Sequence, residues 1–287
     1  MEIKNLTREM LEFRLGNDPE IDTEWFVAHL DDVIRNDPDG CFALCDDNRV
    51  IGMITSTVYQ EIGWLGWLFV LEQHRLSGLG EQLMRQGIDY IRSRGVKTTL
   101  LEADLKATSL YERLGFERQF KTQHFILSRG ELKAGRRVLA EIRPVTDGDL
   151  EQVVLFDREY FHQDRLNMFR TVFANPGFRG WVGRVEGKTS GYMFVTEATE
   201  NQQVSPLVID PSPELAEEVA GGLIREAFKA CPKPLYFRCP MVADDRADTL
   251  RELGATEVNY YTMRMFLGES YKTERKGVLS LGCPGKG

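Results

Sequence analysis

Apolar positions along the chain recur at two spacings, every second residue and every third or fourth. The changes between them predict a mixed α/β order. Residues 3–6 read as a short strand, and Thr7 is placed to cap a helix running to about Arg14. Residues 22–34 carry a second helical pattern, apolar at Phe26, Leu30, Val33 and Ile34, which ends at the turn cluster Asn36-Asp37-Pro38-Asp39-Gly40. Three strands follow, over 41–45, 50–59 and 64–71, so the sheet begins largely antiparallel. Leu83, Met84, Ile88 and Ile91 then share one face of a helix over 80–93, stopped by Gly95. A strand over 97–103, a short helix about Tyr111 closed by Gly115, and a strand over 120–127 complete the first half.

After residues 129–140, basic and glycine-containing and read as a linker, the pattern restarts. Ile142-Arg143-Pro144-Val145-Thr146 followed by residues 147–156 mirrors residues 3–14. Strands over 181–185, 190–195 and 204–209, a helix over 215–228, a strand over 235–239 and a helix over 244–253 follow. Gly254 closes that last helix as Gly115 closes its counterpart. The chain thus reads as two copies of one α/β fold, over 1–128 and 141–268, with a loosely attached tail over 269–287.

One stretch carries a chemical signal. The apolar strand Trp64-Leu65-Gly66-Trp67-Leu68-Phe69-Val70 breaks into Arg75-Leu76-Ser77-Gly78-Leu79-Gly80, and a helix begins at Glu81. The first-turn amides of a helix lack intrahelical partners and sit at the positive end of its dipole, so a strand, a glycine loop and a helix start together hold an anion. Gly78 and Gly80 remove Cβ atoms that would keep the backbone from closing round it. The second copy has neither feature. Glu217 and Glu218 stand where donors would be needed, and Leu250 stands opposite Tyr111, so the second half reads as non-catalytic.

Composition narrows the class. Thirty-six Lys and Arg against 44 Asp and Glu leave a formal charge of −8, the wrong sign for a nucleic-acid partner and a weak lean toward a cationic one. No apolar run approaches the roughly 20 residues of a membrane span, and no signal-peptide core follows Met1, which favours a cytoplasmic protein. Five cysteines without metal-ligand spacing read as reduced thiols, with no metal expected.

The first half resembles the GNAT (GCN5-related) N-acetyltransferases, and the whole chain resembles tandem-GNAT bacterial proteins with a degenerate C-terminal copy. The family's Gln/Arg-x-x-Gly-x-Gly/Ala loop is present as Arg75-Leu76-Ser77-Gly78-Leu79-Gly80, and its later Leu-Tyr-Glu helix as Leu110-Tyr111-Glu112-Arg113-Leu114-Gly115-Phe116. Two positions depart: Asp104 stands for a common asparagine, and Glu72 for a common proline.

The resemblance implies the tandem acyl-CoA N-acyltransferase fold and transfer of an acetyl group from acetyl-CoA directly to a primary amine of a small molecule or peptide. It places the pyrophosphate on the amides of Leu76, Ser77, Gly78, Leu79, Gly80 and Glu81, beside Arg75. The pantetheine arm pairs with backbone at Leu68, Phe69 and Val70, with Asp104 and Ala107 nearby. Tyr111 is the expected general acid toward the leaving thiolate, its phenol near pKa 10. Glu102 is the first candidate base, with Asp104 and Glu61 behind it. A non-catalytic CoA-binding sensor is the alternative. The polar and aromatic run Tyr160-Phe161-His162-Gln163-Asp164-Arg165 reads as a cap for the acceptor pocket of the first domain or a plain inter-domain contact.

Overall fold

The computed structural model describes residues 1–15, 23–47, 49–133, 140–241, 244–271, 276–283 and 285. The expected linker falls partly outside them, at residues 134–139. Its start is ordered by a capping box, in which Ser128 and Glu131 exchange side-chain and backbone bonds around a single turn. Two compact units emerge. The first holds Met1–Gln119, Met263–Tyr271 and Pro284–Gly287, and the second holds Phe120–Thr262 and Lys272–Cys283. Each unit takes a segment from the C-terminal part of the chain.

In the first unit, β1 (Glu2–Asn5), β2 (Cys41–Asp46), β3 (Arg49–Val58) and β4 (Ile62–Val70) form an antiparallel meander, and β5 (Thr98–Asp104) joins β4 in parallel. Crossover from β4 to β5 runs through α3 (Leu79–Ser93), as a parallel pair requires. One face of this sheet packs against α3 through Leu83, Met84, Ile88 and Ile91, the residues expected from the helical period. The opposite face meets α1 (Arg8–Leu15) and α2 (Thr23–Asn36) through Leu11, Leu30 and Val33. A short helix, α4 (Thr108–Arg113), follows β5. The strand β6 (Glu117–Leu127) begins in this unit, and the far edge of β5 pairs with β12 (Thr256–Leu267), whose residues from Met263 onward belong here.

The second unit repeats the plan. Strands β7 (Glu141–Pro144), β8 (Phe178–Val185), β9 (Lys188–Glu197) and β10 (Gln202–Ile209) are antiparallel in sequence order, and β11 (Leu235–Pro240) joins β10 in parallel. Four helices accompany them: α5 (Leu150–Phe161), α6 (Leu166–Phe173), α7 (Pro213–Ala230) and α8 (Asp244–Glu252). Only Gln202 and Gln203 pair with β11 before the two strands part.

The space between them is filled by β13 (Val278–Ser280), antiparallel to β10 with Leu207 opposite Ser280 and Val208 opposite Val278. Ser280 Oγ donates to Val204 O at 3.0 Å and accepts from Arg238 N at 3.0 Å, and Leu281 N donates to Arg238 O at 2.8 Å. Within the tail read as loose, residues 278–280 therefore form a fully buried strand, because Val278, Leu279 and Leu281 supply the apolar surface that the parted strands expose.

The run from Tyr160 to Arg165 is also internal to this unit. Arg165, 4% exposed, bonds both carboxylate oxygens of the fully buried Asp157 at 2.6 and 2.9 Å and stacks 3.8 Å over Phe161. Tyr192 donates to the same carboxylate. A closed network of this kind satisfies a buried charge and explains the composition of the run as packing.

Candidate active site

The site is built by a single irregularity in β4. Register against β3 runs Gly52–Val70 and Met53–Phe69, then resumes at Thr55–Gly66, so Trp67 and Leu68 together oppose Ile54. Trp67 takes a left-handed conformation, φ +50°. A bulge of this kind bends its strand and re-aims the backbone beyond it. Beyond it β4 leaves β5: the parallel ladder runs from Ile62–Thr98 to Leu65–Leu101 and goes no further, although β4 continues to Val70 and β5 to Asp104. The parted edges bound a cavity of about 270 Å³, lined by Ile54, Leu65, Gly66, Trp67, Leu68, Met84, Leu101, Glu102, Asp104, Ala107 and Tyr111.

The glycine loop connects β4 to α3. Arg75 is exposed, and its Nε donates to Val70 O at 3.0 Å and ties the loop to the strand end. Ser77 Oγ donates to His74 O at 2.5 Å. Leu76 and Gly78 both adopt positive φ, +61° and +85°, and Gly78 is the residue at the helix cap. Added Cβ atoms would meet nothing within 4 Å at Gly78 and only side-chain tips at 3.9 Å at Gly80. The loop thus leaves open space in front of the first turn, Leu79, Gly80 and Glu81, where the helix amides point outward. Glu81 is turned away into an ion pair with Arg85 at 2.7 Å.

Tyr111 comes from α4 and is 9% exposed, its ring edge-on to Phe116 at 6.1 Å. Burial, with the Asp104 carboxylate adding to it, pushes its phenol up to about 12, so the ordinary value assumed for the free side chain does not hold. Asp104 caps the turn into α4 by accepting from Lys106 N at 2.8 Å, and Ala107 occupies the residue before the helix. Glu102 lines the cavity and is ion-paired to Arg264 Nε at 2.9 Å, with the two side chains 3% and 9% exposed. The Arg264 guanidinium also lies 4.4 Å from the Trp64 ring centroid. Glu61 lies outside this group, in the turn before β4.

Arg264 escaped the sequence reading because it lies far along the chain from the strand it completes. The available signal was a charged residue between Met263 and Met265, two apolar positions that are both buried.

In the second unit the connection from β10 to its helix is only Asp210 to Ser212, against eight residues in the first, from Leu71 to Gly78. Its α7 opens with a proline, which has no amide proton. Glu218 lies deeper in α7 than expected, buried, and accepts from Ala140 N at 3.2 Å. Leu250, in the place of the tyrosine, is fully buried core.

Residues 2–116 match the acetyltransferase (GNAT) family, and residues 153–279 match a GNAT acetyltransferase domain. The chain belongs to the GNAT acetyltransferases, as a tandem member. The GNAT fold extends across solved structures. The chain superimposes on a putative acetyltransferase from Pyrococcus horikoshii with TM-score 0.82 at 21% identity, covering 100% of this chain and 95% of that one. A GCN5-related N-acetyltransferase from Sphaerobacter thermophilus gives TM-score 0.64 at 11% identity, over 98% and 96% of the two chains. A tandem GNAT protein from the clavulanic acid biosynthesis pathway gives 0.63 at 14%, over 94% and 99%. A curated relative, N-alpha-acetyltransferase 30 of Schizosaccharomyces pombe, is 27% identical over 101 residues, which is 32% of this chain and 66% of that protein's length. Among the described residues of this GNAT protein, no helix is long and apolar enough to cross a membrane, and no group of three or more His, Cys, Asp or Glu could hold a metal.

Proposed function

We propose that the first unit transfers the acetyl group of acetyl-CoA directly to a primary amine of a small molecule or peptide. The observation that carries this reading is one of placement: the parted ends of β4 and β5, the open glycine loop and the Tyr111 side chain adjoin in one unit. Acetyl-CoA fits these features. Its phosphates match an anion site made of amides, and its pantetheine arm matches an unladdered strand edge at Leu68, Phe69 and Val70. The thioester supplies the activated acetyl group that a neutral amine attacks.

The chain's own residues do the rest. A backbone amide at or just after the bulge, around residues 68–70, is the donor toward the carbonyl oxygen, since a fixed dipole there costs no reorganisation as charge develops. Tyr111, protonated throughout the physiological range, gives its proton to the departing sulfur. Glu102 is the candidate acceptor of the amine's proton, by its place in the cavity wall. Direct transfer is favoured over an acyl-enzyme because all five cysteines are buried and none lines the cavity.

Calorimetric titration with acetyl-CoA tests the reading. Wild type is expected to bind at one site per chain, and a Gly78→Glu/Gly80→Glu variant to lose roughly 100-fold in affinity, since two carboxylates would face the helix N-terminus. Two sites per chain, or binding indifferent to the substitutions, would remove the assignment. Binding without thiol release in the presence of any amine would leave a CoA sensor instead.

A further inference from the structure

Glu102 in the cavity wall is held by a residue from the far end of the chain. Leu101 and Ala103 of β5 pack toward α3, so alternation puts Leu100 and Glu102 together on the opposite face, where Leu100 packs with Trp64 and Phe266. Strand β12 runs along the edge of β5 and is pinned to it at Gly268 and Glu269. A methyl on Gly268 would fall 2.0 Å from Lys97 O, and Thr98 Oγ1 donates to Glu269 O at 2.9 Å. Farther along the same edge Arg264 meets Glu102, its Nε donating to Oε2 at 2.9 Å. Both side chains are almost inaccessible, and the guanidinium lies 4.4 Å from the Trp64 ring centroid. All of these residues are in the first unit.

Stability alone does not account for this pair. A buried ion pair loses in hydration much of what its attraction returns, and apolar side chains of similar volume often hold a core as well. β12 is anchored without it, through the buried Met263 and Met265 and through the bond from Thr98 to Glu269. What the pair does hold is a carboxylate in the wall of the cavity that Tyr111 also lines. A carboxylate taken out of water needs a cationic partner, and a guanidinium lodged against an aromatic ring gives it a fixed direction.

We infer that Arg264 is a positioning residue for acetyl transfer, fixing the Glu102 carboxylate where it takes the proton of the attacking amine. The inference rests on the acetyl-transfer reading and deepens it. In that step the amine nitrogen bonds to the thioester carbonyl carbon, and the carbon–sulfur bond breaks. The nitrogen's surplus proton passes to Glu102, and the departing sulfur takes the Tyr111 proton. Glu102 then gives a proton to solvent and Tyr111 regains one, leaving an amide and free CoA thiol. Arg264 is not among the residues that line the cavity, so its effect reaches the reacting atoms through Glu102.

The test is a double-mutant cycle of wild type, Glu102→Gln, Arg264→Lys, Arg264→Met, and each Arg264 variant combined with Glu102→Gln. Each is titrated with acetyl-CoA by calorimetry. CoA thiol release is then followed with an amino sugar, a short polyamine and a hexapeptide bearing a free N-terminus, the fastest of these in wild type serving for every variant. Glu102→Gln and Arg264→Met should each lower kcat about 100-fold, and Arg264→Lys about tenfold, since an ammonium keeps the charge but loses the planar fork. Acetyl-CoA affinity should stay within about twofold throughout. In the Glu102→Gln background neither Arg264 substitution should lower kcat further. Losses that multiply would overturn the inference by making the arginine's role purely structural, as would Arg264→Met turnover near that of wild type. Should Arg264→Met fail to fold, with its carboxylate buried and its partner gone, the lysine arm of the cycle decides by the same criterion. Full turnover in Glu102→Gln would also overturn the inference, while leaving acetyl transfer standing without that base. Failure of the underlying reading is separate, since wild type itself would then bind no acetyl-CoA or release no thiol with any of the amines.

Discussion

Tyr111 is the residue on which the proposed chemistry turns, and its environment makes a pH prediction. A phenol raised to about 12 is protonated below that value and loses its proton only above it. Turnover is therefore expected to rise with pH as the acceptor amine deprotonates, reach a plateau, and show no falling limb below about pH 11. Tyr111→Phe should lower turnover by roughly 10²–10⁴-fold with acetyl-CoA affinity unchanged. A falling limb between pH 8 and 9 in wild type, or near-normal turnover in the variant, would remove Tyr111 from the acid role. At this scale the loop glycines and the tyrosine were legible because backbone conformation and side-chain chemistry are written locally. The partner of Glu102 was not. Arg264 reaches it from 162 positions away, and no local spacing encodes such a pair.

The elements themselves were read well wherever a period ran for several turns. Helix α3 begins within a residue of its expected start and ends at Ser93, and β8, β10 and β11 fall where alternation placed them. What alternation omits is the identity of a strand's neighbours, so β13 was missed. That strand gives an element-scale prediction. Gly277 leads into it, and a methyl there would meet Ile209 O at 2.1 Å and the Tyr160 ring at 2.4 Å. Gly277→Ala should cost roughly 1–3 kcal/mol of stability, the usual penalty of forcing an atom into a packed site. Urea unfolding measures it, and an unchanged midpoint would mean that β13 is not held as described.

For the molecule as a whole, acid is the expected weak point. His124 is buried between Tyr236 and Thr262, its ring nitrogens 2.7 and 3.2 Å from their hydroxyls. Burial, and then the Arg238 charge, lower it to about 4 from an ordinary value near 6.5. Its folded value is depressed, so the unfolded chain takes up a proton first. Stability is complete above pH 6.5 and declines as pH falls toward 4, by roughly 3 kcal/mol in all. His124→Gln should flatten that part of the slope in urea midpoints taken between pH 7 and 4.5. A slope identical to wild type would assign the acid sensitivity elsewhere. The repeat of one plan along the chain was legible from sequence, since both halves write the same order of periods. The exchange of C-terminal segments between units was not, because it depends on which sheet edge a segment reaches.

The strand between β10 and β11 also has a consequence in mass action. A segment tethered to its own binding site competes at an effective concentration that is about millimolar for short flexible connections. It is present in every copy of the molecule and is never diluted. Any ligand entering between β10 and β11 would therefore have to displace a strand already bonded to Val204, Arg238 and Ile209. On the proposed reading, titration with acetyl-CoA is expected to saturate at one site per chain.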